Sequence, residues 1–273
     1  MATQTPTTTR PANTPDAAGS GIRVRIAIGF TLIAIVASLV GLIASGGSYE
    51  PAPNGLPDSG PLVGWLLPVF GAIGFGAAMA CIGWLLLAGF LDPSAGKKVV
   101  SKRGRAAMLR ASGAAAIWCV ISLIASVFTL ANILGVDLAT AAAPGTFTTY
   151  AWDVSDVRTL LISAVLAAAV AIGAVLSVSL TGTTIWLALA LVAVAAPSTA
   201  GHAVGLGDHG LALVNSVAHA VAATLWVGGL IALGATVWPK AQTVGVAAQR
   251  FGYLAIASVV ILTASGVANA YVR

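Results

Sequence analysis

The chain has 273 residues, of which 58% are hydrophobic and only 8% charged, with a formal net charge of +5. Soluble domains carry about a quarter charged residues, so this composition excludes a soluble enzyme and a nucleic-acid-binding protein. Apolar runs of about twenty residues recur throughout, each long enough to cross ~30 Å of hydrocarbon, and they mark an integral membrane protein.

In chain order, residues 1–22 are rich in Thr, Pro and Ala and read as a disordered tail. Residues 23–273 read as one all-α transmembrane bundle of seven predicted spans: Val24–Ser45, Leu62–Phe90, Ala111–Leu134, Thr159–Leu180, Thr183–Thr199, Leu211–Gly234 and Phe251–Tyr271. The first is read as an uncleaved anchor, because its apolar core exceeds a usual signal-peptide h-region. Pro68 in the second predicts a tilt or kink. Between spans, Leu91–Arg110 reads as a basic loop and Gly135–Arg158 as an external one. Asp153 and Asp156 are expected to cap the helix that follows.

Charge orients the bundle. With the N-terminus inside, eleven of the thirteen basic residues fall inside: Arg10, Arg23, Arg25, Lys97, Lys98, Lys102, Arg103, Arg105, Arg110, Lys240 and Arg250. Only Arg158 and Arg273 fall outside. The positive-inside rule then places the N-terminus in the cytoplasm and the C-terminus outside.

The sixth span carries a titratable side chain, His219, in an apolar stretch. Such a group in hydrocarbon is expensive and usually has a partner and a role. Asn215, His219 and Trp226 stand at i, i+4 and i+11, which is one helical face. If the span enters the membrane near Leu211, His219 lies ~12 Å deep and Trp226 ~10 Å deeper. The preceding external loop holds the other two histidines, His202 and His209, with Asp208 between them. Neutral imidazoles are ligands for copper and zinc, so these histidines are a candidate metal site with Asp208 as a possible further ligand. The alternative is that His219 hydrogen-bonds a neighbouring helix. Asn215, Asn132 and Asn269 could support a histidine from a second layer. Cys81 and Cys119 lie inside spans and read as small buried hydrophobes rather than soft ligands.

Ser198-Thr199-Ala200-Gly201-His202-Ala203, followed by His219 and then Trp226-Val227-Gly228-Gly229-Leu230, resembles the copper resistance D (CopD) family of bacterial membrane proteins. The likeness is sharpest over residues 198–234. It implies copper handling at the cytoplasmic membrane, most often uptake, with His202 and His219 as ligands, Trp226 closing the pocket and Gly228 and Gly229 packing helices. In actinobacterial members this domain is often joined to one resembling a cytochrome oxidase copper-assembly factor, and the chain's stop at Arg273 suggests such a fusion. The expected ion is Cu(I). The expected partners are the bilayer and an extracytoplasmic copper chaperone or oxidase assembly factor. No catalysis is expected. A non-transporting handover scaffold for a respiratory oxidase is the alternative.

Overall fold

The computed structural model describes residues 49–53, 56–93, 98–200, 209–237 and 241–272. The predicted tail and first span lie outside these. The described residues are helical in eight segments: α1 (Pro61–Leu86), α2 (Lys102–Leu134), α3 (Leu138–Ala142), α4 (Pro144–Tyr150), α5 (Ser155–Leu176), α6 (Leu180–Ala195), α7 (His209–Val237) and α8 (Ala241–Val272). A π-helical turn, Leu87–Leu91, extends α1, and a 3₁₀ turn, Ala196–Thr199, extends α6. Six of these helices are long and apolar enough to cross a membrane. The protein is a multi-pass membrane helix bundle.

Which residues face inward is decided by size, because nearly every position is apolar. The buried face of α2 runs Gly104, Ala107, Met108, Ala111, Ala115, Trp118, Ser122 and Ala125, a helical period made mostly of small side chains. Its exposed positions include the large side chains Leu109, Ile117, Val120 and Leu123. Lipid offers no hydrophobic penalty to those side chains, so close approach of small residues drives helix packing. The central helix α1 packs against α2 and α7; α2 packs also on α5, and α7 on α8.

Two crossings rest on glycine. A Cβ at Gly83 of α1 would fall 2.2 Å from the Gly228 carbonyl oxygen of α7. A Cβ at Gly229 would fall 2.5 Å from the Phe251 ring of α8. The two helix backbones at Gly83 and Gly228 therefore touch directly.

Several predicted boundaries shift. Residues 102–110, expected in the basic loop, are the first turns of α2, capped by the Ser101 hydroxyl accepting from the Gly104 N–H at 2.9 Å. The basic side chains of that stretch thus stand on a helix. The segment 135–158, expected as an external loop, contains α3 and α4, which lay Ala141 and Phe147 over the bundle. Asp137, not Asp153 or Asp156, is the capping aspartate here, accepting from the Thr140 N–H at 2.9 Å. At α5 the cap position is Val154, with no side-chain cap, and Asp156 sits in the first turn, where its charge favours the helix dipole. The helix α1 runs through Pro68 without a break, and its irregular winding falls at the π turn, where the Asp92 N–H reaches the Leu87 carbonyl at 3.0 Å.

At the basic end, residues 98–100 pair with 178–180 in a short antiparallel bridge, Val100 N–H to Val178 O at 3.1 Å and Leu180 N–H to Lys98 O at 3.1 Å. Arg105 closes the same corner. Its guanidinium donates to the Ser177 carbonyl at 2.8 Å and the Val175 carbonyl at 2.6 Å, satisfying carbonyls left open where α5 ends. A cation there also meets the negative end of the helix dipole. Arg105→Ala should lower stability by roughly 1–3 kcal/mol, the range for charged hydrogen bonds. Arg105→Lys should recover only part of it, because an ammonium cannot fork between two carbonyls. Denaturant unfolding in detergent checks this; equal midpoints for wild type and Arg105→Ala would refute it.

At the opposite end, the loop before α1 is tied by Tyr49, whose hydroxyl donates to the Asp58 carboxylate at 2.5 Å. That bond, with the Gly60 N–H, holds the Asp58 carboxyl below its ordinary value. A depressed carboxyl contributes stability above its unfolded pKa and loses it as pH falls through its folded pKa. The loop should therefore loosen only in acid, below the ordinary aspartate range. In Tyr49→Phe the Asp58 midpoint, followed by carboxyl-carbon NMR, should rise toward the ordinary value. An unchanged midpoint would show that Tyr49 does not set it.

Candidate functional site

Helix α7 positions the candidate site because its residues from 212 to 234 are apolar enough to stay in the membrane while placing Asn215 and His219 one turn apart. Both reach the same residue of α8. The Asn215 amide donates to the Ser265 carbonyl at 2.9 Å. The His219 Nδ1 lies 2.8 Å from the Ser265 Oγ. Ser265 is buried, and its hydroxyl donates to the Leu262 carbonyl at 2.9 Å.

This chain of bonds is compatible with one imidazole tautomer. A serine hydroxyl has one proton, and that of Ser265 is directed to Leu262. With that proton directed to Leu262, the Ser265 oxygen accepts from His219, which corresponds to the tautomer protonated at Nδ1. His219 itself is exposed. The helix-to-helix hydrogen bond weighed as the alternative to metal binding is thus present, and it leaves the second ring nitrogen unengaged by Ser265.

The other expected site residues distribute differently. His202 and Asp208 lie outside the described residues. His209 is the first residue of α7, ten residues before His219 and hence ~15 Å along the axis. Trp226 is two turns below His219 on the same face and packs, partly buried, against the central core. Gly228 and Gly229 seat α7 against α1 and α8. Asn132 of α2 accepts from the Ser59 hydroxyl, just before α1, at 3.5 Å; the side chain of Asn269 lies outside the described residues. Cys81 is buried and Cys119 partly so, both as free thiols. Among the described residues no group of three or more His, Cys, Asp or Glu converges as a metal site.

Sequence reasoning missed Ser265. Nothing in Thr263-Ala264-Ser265-Gly266 distinguishes it from the other hydroxyls of the spans; only the α7–α8 crossing picks it out. In sequence Arg105 reads as a topology charge that also meets anionic lipid head groups; its position three residues into α2 suits a contact with a neighbouring helix end as well.

Fold and site together define a polytopic helical membrane protein with a histidine in one span hydrogen-bonded to a serine of the next. No protein-family model, no curated protein and no solved structure matches the chain.

Proposed function

We propose that this protein handles copper at a bacterial cytoplasmic membrane, as a member of the copper resistance D family, and moves the ion inward. The observation that carries the reading is the His219–Ser265 bond. Histidines that bind metals generally donate their other ring N–H to a fixed acceptor, which sets the tautomer and aims the ligand nitrogen. His219 has this arrangement, with Nδ1 anchored at 2.8 Å and Nε2 available. A second neutral ligand is needed, and the sequence offers His202 in the loop that precedes α7. Two imidazoles in a low-polarity setting suit Cu(I), whose low coordination number needs few ligands. The Lys/Arg asymmetry puts this end of α7 on the extracytoplasmic side, where His202 would capture and His219 would hold the ion. Trp226 lies below as a packed floor.

The test is copper stoichiometry of the purified full chain in detergent, for wild type, His219→Ala and His202→Ala. About one copper per chain in wild type, lost in either variant, is the expected result. Equal binding by all three, or none by any, would sink the reading and leave His219 a structural link between helices. Uptake of copper into vesicles containing this chain alone would then separate transport from handover to an oxidase assembly partner.

A further inference from the structure

A cavity of about 290 Å³ lies between α1, α2, α5 and the 3₁₀ turn after α6, away from His219. Its wall on α1 is formed by Phe70, Gly71 and Phe75. These residues stand nine to fourteen positions into that helix, so the cavity reaches roughly 14–21 Å along it, well within the membrane. Trp118 of α2 and Ser163 of α5 form the facing walls. Ser163 is fully buried, and its hydroxyl has no hydrogen-bond partner, the sole buried side-chain oxygen or nitrogen in that position among the described residues. Burying a hydroxyl unpaired is costly, so natural structures normally satisfy it, and a ligand is one way to do so. Gly71 lines the same cavity, and a Cβ placed there would meet nothing within 4 Å, so a larger side chain can be introduced at this wall.

We infer that this cavity binds a lipophilic, uncharged ring compound bearing a carbonyl, of the quinone type, with Ser163 donating to the carbonyl oxygen. Three features select that chemistry. The described lining residues carry no charge, which disfavours an ionic ligand. Phe70, Phe75 and Trp118 offer ring faces and edges, which favour a flat ring. Position at membrane depth means that the ligand arrives from the bilayer, so it must dissolve there. The volume accommodates a ring head group, at the small end of ligand pockets, with any tail left in lipid.

The experiment is a titration of the detergent-solubilised full chain with a decyl-substituted benzoquinone, read by quenching of tryptophan fluorescence, in wild type, Gly71→Leu and Ser163→Ala. Thermal unfolding of each variant checks folding. Wild type should quench saturably. Gly71→Leu, which fills open space, should weaken binding by more than about tenfold, and Ser163→Ala by about five- to tenfold, the loss of one hydrogen bond. Quenching that rises linearly and equally in all three would overturn the proposal. Loss in Gly71→Leu without change in Ser163→Ala would also overturn it, because an acyl chain would then fit as well. Should Gly71→Leu not fold, Ser163→Ala decides alone.

Discussion

Gly228→Leu should abolish stable folding or lower stability by more than about 3 kcal/mol, the upper part of the overpacking range. A Cβ at residue 228 would sit 2.6 Å from the Met79 carbonyl oxygen and 3.0 Å from the Gly83 nitrogen. Both are backbone atoms of α1, so no side chain can rotate away, and the helices must separate to admit any larger residue. Separation would forfeit the dispersion contacts along the whole crossing, the main attraction available between helices in lipid. Gly76→Leu is the matched control. A Cβ at Gly76 of α1 would meet nothing within 4 Å, so the same side chain should be tolerated there, with a small gain from replacing a helical glycine. Denaturant unfolding in detergent, followed by circular dichroism, gives the comparison. Equal midpoints for Gly228→Leu and Gly76→Leu would show that the α1–α7 backbone contact is not what holds these helices.

Ser265→Ala should weaken copper binding about 10- to 100-fold without removing a ligand, the usual effect of deleting the group that orients a metal-binding histidine. The argument runs through the ring. With Ser265 in place, Nδ1–H has a fixed acceptor at 2.8 Å and Nε2 is left as the ligand nitrogen. With alanine, the imidazole loses that anchor, and its tautomers and rotamers become free to mix. Ser265→Thr keeps the oxygen and should keep most of the affinity. Nitrogen-15 NMR of the histidines separates this from the copper reading itself. The wild-type His219 should show protonated Nδ1 and bare Nε2 even without metal, and Ser265→Ala should not. A wild-type spectrum with protonated Nε2 would contradict the hydrogen-bond assignment, whatever copper does.

Much of the architecture was legible before folding was considered, because hydrocarbon imposes one rule on every span. Backbone groups must be paired within the segment, so each long apolar run has to be a helix. The spans from Leu62 to Tyr271 correspond to the six long helices. Their ends were less legible. The α2 helix begins at Lys102 rather than Ala111, because basic side chains such as Arg105 can stay helical while reaching polar partners at the membrane edge. The segment 135–158 looked like a loop because α3 and α4 are only five and seven residues long, too short for a periodic pattern to declare itself.

The candidate site divides the same way. Sequence spacing by itself put Asn215, His219 and Trp226 on one face of one helix, since 3.6 residues per turn is a local property. It also marked His219 as costly in a membrane, since hydration of an imidazole is lost whatever the neighbours are. What only the tertiary structure decided is which atoms relieve that loss. Ser265 stands 46 residues away in the chain and meets His219 only where α8 crosses α7. The Gly83–Gly228 contact is likewise invisible in either helix alone, because small residues permit close approach without naming the partner. Composition and periodicity are summed along the chain and so fix the membrane class and the helices; hydrogen bonds and backbone contacts across helices depend on register and crossing, which no local pattern encodes.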